Sequence, residues 1–159
     1  MKTVEADLRE AVASVTPRLL DLSDTDASRH PAPGKWSPKE VIGHLIDSAS
    51  NNHQRFVRAG FTEDLVFPGY QQEQWVEAQR YAHAPWTELV GLWSNFNLHL
   101  ARVIEATPAA VRQKARVRHN LQELAWKAVP QSEPATLEYF MRDYVDHLRH
   151  HIAQIFPPA

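Results

Sequence analysis

The chain has no cysteine, and that absence removes several chemistries at once. The protein itself supplies no disulfide framework, no thiolate ligand for a metal and no nucleophilic thiol. Glycine is scarce, with five in 159 residues, and alternating runs of β-branched residues are almost missing. Without period-two alternation there is no good strand or hairpin signal. Long apolar runs are absent too. None approaches the roughly 20 residues that a membrane span requires, and the opening Met1-Lys-Thr-Val-Glu-Ala-Asp7 lacks the apolar core of a signal peptide. Nor is there a block of basic charge. At a formal net charge of -2 the chain has no clustered Lys and Arg to neutralise phosphates, so general nucleic-acid binding is not expected. The expectation is a cytoplasmic, non-membrane protein of one domain, residues 1–159.

What is present is a set of long amphipathic stretches separated by proline-rich breaks, which reads as an all-α protein, a four-helix bundle. The first helix is expected over Thr3 to Leu22, with Leu8, Ala11, Val12, Val15, Leu19 and Leu22 on one side and Pro17 kinking or dividing it. A polar connection follows, Ser23 to Gly34. Trp36-Ser37-Pro38-Lys39-Glu40 is the clearest local signal in the chain. Ser37 fits an N-cap, Pro38 the first helical position, and Glu40 completes a capping box. The helix it opens, Pro38 to Ala59, would bury Val41, His44, Leu45, Ser48, Asn52 and Phe56. Gly60 to Gly69 is a break, and Tyr70 to Tyr81 a short helix or ordered loop. The third long helix spans Pro85 to Ala106, with Leu89, Leu92, Trp93, Phe96, Leu100, Val103 and Ile104 inward. Ala109 to Pro134 reads as a connection with one short helix, and its Arg112 to Arg118 cluster as a solvated face. The fourth long helix opens on a cap at Thr136 and reaches Phe156, where Pro157-Pro158 stops it.

The chain is rich in histidine (nine) and tryptophan (five). Three histidines fall within Asp143-Tyr-Val-Asp-His147-Leu-Arg-His150-His151-Ile-Ala-Gln154. His147 and His151, at i and i+4, share one helix face and lie inside the apolar stripe of Leu137, Phe140, Met141, Tyr144, Leu148 and Ile152. His150 sits toward the flank. Neutral imidazoles that point into a core need partners, and in a helix bundle metal ligands project inward from facing helices. His44, on the buried face of the second helix, supplies a third imidazole for a site on His44, His147 and His151. Three imidazoles leave positions on the ion for water or substrate. Zinc and nickel suit such ligands, with iron, cobalt and manganese as alternatives. Asp47 and Asp143 are candidates to hold the outer ring nitrogens. Leu148 stands where the His-Glu-x-x-His motif would place its general base. His30, His53, His83, His99 and His119 read as surface or helix-flank residues, the tryptophans as packing groups, and Asn51, Asn52 and Arg55 as interhelical hydrogen-bonding residues or, in the alternative, the polar lining of a pocket.

Gly34-Lys-Trp36-Ser37-Pro-Lys-Glu40-Val-Ile-Gly-His44-Leu-Ile-Asp47-Ser, then Arg55-Phe, and the closing His147-x-x-His150-His151-Ile-Ala-Gln154 resemble the DinB superfamily, in particular its YfiT-like branch. Tyr70-Gln-Gln-Glu-Gln-Trp75 is similar to that branch as well. The resemblance implies a four-helix bundle, often a homodimer, in which His44, His147 and His151 hold a divalent metal and His150 does not. It also implies a small-molecule substrate and one of two chemistries, metal-dependent hydrolysis or S-transfer with a low-molecular-weight thiol. The competing class is a non-catalytic bundle with a structural metal or none.

Overall fold

The computed structural model describes residues 1–159 and contains four long helices joined by short ones. In chain order the helices are α1 (Val4–Leu20), α2 (Asp24–Ala27), α3 (Pro38–Ala59), α4 (Gln72–Ala78), α5 (Trp86–Ala106), α6 (Ala109–Gln113), α7 (Leu121–Leu124) and α8 (Leu137–Ile155). The long ones are α1, α3, α5 and α8, and the chain is an all-α four-helix bundle. No strand forms; two isolated bridges, Leu65 with His119 and Arg116 with Ala135, tie the connections together. No helix is long and apolar enough to cross a membrane.

The two helices that carry the site begin where the sequence says they should. Ser37 Oγ accepts from the Glu40 N–H, and the Glu40 carboxylate accepts from the Ser37 N–H at 2.8 Å. Both ends of the capping box are therefore closed, and Pro38 adds its fixed φ at the first helical position. Thr136 caps α8 by accepting from the Tyr139 N–H at 3.1 Å. Asp24 couples this end of α3 to α5, bonding Lys39 Nζ at 3.0 Å and the Trp86 N–H at 3.1 Å. The Trp86 indole donates to the Leu19 carbonyl at the end of α1 at 2.7 Å. Three helix ends are thus locked into one frame.

The packing order differs from the chain order. α1 and α3 both pack against α5, and α8 packs against α3 and α1, so consecutive long helices α1 and α3 sit across the diagonal. The core is one cluster of 34 buried apolar residues, with Trp93, Phe56 and Phe140 its largest fully enclosed side chains. Inside it the Tyr144 hydroxyl of α8 donates to the Asn97 amide oxygen of α5.

Several expectations change. Of the two effects expected of Pro17, division does not occur: α1 runs through it and ends three residues later at Leu20. Leu92 is 52% exposed; the inward stripe of α5 is Leu89, Val90, Trp93, Asn97, Leu100, Ala101 and Ile104, and Leu92 lies about 100° round from Trp93. Residues 109–134 contain two short helices rather than one, and the Ser23–Gly34 connection contains α2. The Arg112 to Arg118 cluster is not uniformly solvated. Arg116 is 3% exposed and donates to the carbonyls of Thr62, Ala59 and Val111, and Arg112 sits half-buried between Glu5 and Glu138.

Candidate metal centre

α3 contributes His44 from its second turn, within reach of the capping box that fixes the helix start. α8 contributes His147 and His151 from successive turns of one face. Antiparallel packing of the two helices brings the three rings together. His44 Nε2 lies 3.4 Å from His147 Nε2, and His147 Nε2 lies 3.0 Å from His151 Nε2. One nitrogen from each of the three falls within 4.8 Å of the other two. His44 is fully buried and the other two are half-buried.

Burial sets the electrostatics. Desolvation, with help from the neighbouring His151, pulls His44 down to about 3, and desolvation with the three nearby imidazoles pulls His147 down to about 3 as well. His151 is lowered by burial, partly offset by its contact with Gln154. All three are neutral at ordinary pH, the state in which an imidazole offers a lone pair. The cluster fits a cation on its own geometry. The single Nε2 of His147 faces both neighbours, and one N–H cannot serve two acceptors. Three neutral imidazoles share at most one lone pair or one N–H at this crowded point, whereas a cation among the three nitrogens accepts a lone pair from each.

The outer shell differs from the expected one. Asp47 Oδ1 accepts from Gln79 Nε2 and the Tyr81 hydroxyl, each at 2.8 Å, and Asp143 accepts from the backbone N–H groups of Trp126 and Lys127 at 2.8 Å each. Neither reaches an imidazole, because each carboxylate anchors a connection to its helix. His44 Nδ1 and Asp47 Oδ2 both remain buried without a partner. Gln154 takes the ring-orienting role for His151, with Oε1 at 3.0 Å from Nδ1. Trp36 covers the centre from outside, its ring 5.1 Å from His44 and 6.3 Å from His151. His150 is exposed and packs at a tilt against Trp126, ring centroids 5.0 Å apart, and is not one of the three clustered imidazoles. His119 is not a surface residue. It is 2% exposed, held between the Glu133 carbonyl and the Leu121 N–H.

A cavity of about 310 Å³ opens beside His147. Ser48, Asn52 and Arg55 line it from α3, and Phe140, Asp143 and Tyr144 from α8. Asn52 bonds within its own helix, to the Ser48 carbonyl at 2.9 Å, and so does Asn51 to Asp47. Of the two expected roles, Asn52 and Arg55 take the lining of a pocket, and neither Asn51 nor Asn52 bridges helices through these bonds. Tyr70 and Gln72 also wall it, from the segment that resembles the YfiT-like branch, whereas Glu123 and Trp126 had no sequence signal of function, since they come from a connection whose position is set only by packing.

Fold and cluster together define a class: a four-helix-bundle protein with an inward-facing three-imidazole group fit for a divalent cation. The sequence model of the DinB superfamily matches residues 7–155, and the chain belongs to that superfamily. A curated relative from Bacillus subtilis (strain 168), named "Putative metal-dependent hydrolase YfiT", is 24% identical over 155 residues, covering 98% of this chain and 78% of the relative. A solved structure of YfiT from Bacillus subtilis superposes with a TM-score of 0.77 at 21% identity, over 96% of this chain and 82% of that one. It is described as a probable metal-dependent hydrolase with an unusual four-helix bundle topology.

Proposed function

We propose that this protein is a metal-dependent hydrolase of a small molecule, with a divalent ion held by His44, His147 and His151. One observation carries the reading: three neutral imidazoles converge at the edge of a cavity, with Nε2 separations of 3.4 and 3.0 Å. An all-imidazole donor set favours zinc or nickel, with iron, cobalt and manganese as alternatives. Such an ion, when bound, supplies an activated water and a Lewis acid.

The chain's own residues do the rest. Burial holds the imidazoles neutral, Gln154 orients the His151 ring, and Trp36 shields the outer side of His44 and His151 from bulk water. Access is then from the cavity side, past His147. The name carried by the Bacillus relative agrees with this reading. One observation favours thiol S-transfer as a second reading. The recorded partners of the three imidazoles are one another and Gln154, so no carboxylate base stands among them. An external thiol needs none.

The test is elemental analysis of the purified protein beside His147→Ala. About one metal per chain is expected in the first, and background in the second, with unchanged helical circular dichroism. Equal, negligible metal in both would sink the site. Screens of ester and amide substrates, run against low-molecular-weight thiols with an electrophile, then separate the two chemistries.

A further inference from the structure

The cavity beside His147 contains a buried cation that no carboxylate neutralises. Arg55 is 6% exposed. Its hydrogen bonds go to neutral acceptors only, Asn52 Oδ1 at 3.3 Å and the Pro68 carbonyl at 3.0 Å. The two carboxylates that line the cavity do not pair with it. Asp143 is held by two backbone N–H groups, and Glu123 lies exposed and outside any ion pair. Other enclosed basic groups are provided for: Lys39 pairs with Asp24 at 3.0 Å, and Arg116 spends its terminal nitrogens on three carbonyls. Arg55 alone among these opens onto the cavity next to the imidazoles. A charge buried without a counter-charge is costly to the fold, and a ligand oxyanion in the cavity would remove that cost.

We propose that Arg55 anchors an oxyanion of the substrate, so that the cavity takes a small molecule with a carboxylate or phosphate at one end and its reacting bond at the other. The placement of the reacting bond rests on the metal reading above; the oxyanion site does not. His44, Ser48, Asn52 and Arg55 follow one another on one face of α3, and His147, Tyr144 and Phe140 run opposite on α8. The Phe140 ring lies 6.0 Å from the Arg55 guanidinium, and the Tyr70 ring also lies 6.0 Å from it. From Phe140 to His147 is about 10 Å of helix axis. The ligand therefore spans about that distance, its anionic end at a guanidinium that two aromatic rings flank. A planar guanidinium with unused N–H groups matches carboxylate and phosphate in forked geometry.

The experiment uses the full chain, stripped of metal, in a low-chloride buffer. Acetate and inorganic phosphate are titrated separately, with melting temperature and the Arg55 Nε–H resonance as readouts. The expected result is a rise of a few degrees and a saturable shift of that resonance in the unaltered protein. The response should vanish in Arg55→Met and weaken about tenfold in Arg55→Lys. The probe with the larger response identifies the anion. If Arg55→Met fails to fold, the resonance in the unaltered protein still decides. An unshifted Arg55 signal with either probe overturns the proposal, and so does an equal thermal response in Arg55→Met. The same titration in His147→Ala keeps the two readings apart. A retained response there, beside an unaltered protein that purifies without metal, leaves the oxyanion site standing and the metal reading fallen. One metal per chain with no response does the reverse.

Discussion

Burial takes the imidazoles of His44 and His147 from 6.5 to about 3, and the sign of the consequence follows from proton counting. Between those values the unfolded chain binds protons at these positions and the folded chain does not. The metal-free protein is therefore at full stability from this source above about pH 6.5 and loses it as pH falls toward 3. Asp47 and Asp143, pushed up by burial, act in the opposite sense at the acid end. The histidine contribution is isolated by comparison. Denaturation midpoints between pH 7 and 4 should fall more steeply for the unaltered protein than for His147→Gln. Parallel profiles would mean that the imidazole is not held neutral by the fold. At this scale the sequence was informative for the three ligand candidates, because each occupies an apolar stripe. It misled for Asp47 and Asp143, since spacing cannot tell which of several polar partners a carboxylate meets.

Helix starts are the most local structures in the chain, and they were the most legible. The Ser37 box and the Thr136 cap need only residues three apart. Ser37→Ala should cost about 1 kcal/mol in chemical denaturation and lower metal affinity too, since His44 rides on the second turn of the helix it fixes. Gly43 shows the opposite case. A Cβ there would lie 2.2 Å from Tyr81 Cδ2, whose ring covers the helix backbone while its hydroxyl holds Asp47. Helix propensity alone favours Gly43→Ala by about 1 kcal/mol, but overpacking costs about 1–3 kcal/mol, so net destabilisation is expected. Gly91 in α5 has nothing within 4 Å of its would-be Cβ. Gly91→Ala should stabilise the protein by up to about 1 kcal/mol, and urea midpoints of the two variants should move in opposite directions.

At the scale of the whole molecule, the core is expected to stand without a cation. Its 34 buried apolar residues form one cluster among four helices, and the imidazoles add to that cluster rather than hold it together. Removal of metal by a chelator should leave helical circular dichroism and a cooperative melt, with only the mass-action loss in melting temperature. A collapse of helicity on chelation would assign the ion a structural role. The connections are held differently. Arg116 ties the Gly60–Gly69 break and α6 to the end of α3, so Arg116→Met should speed hydrogen exchange in residues 60–69 and 109–120 while the four long helices stay protected.

Periodicity and caps determined the four long helices and placed His44, His147 and His151 on faces that had to be buried, because both depend on neighbours within a turn or two. Tertiary structure alone decided three things. It put α1 and α3 across a diagonal, it folded residues 109–134 into two short helices around Arg116, His119 and Asn120, and it formed a cavity lined by both Arg55 and His147. Each of these rests on contacts between residues far apart in the chain, where no local spacing records which partner will be met.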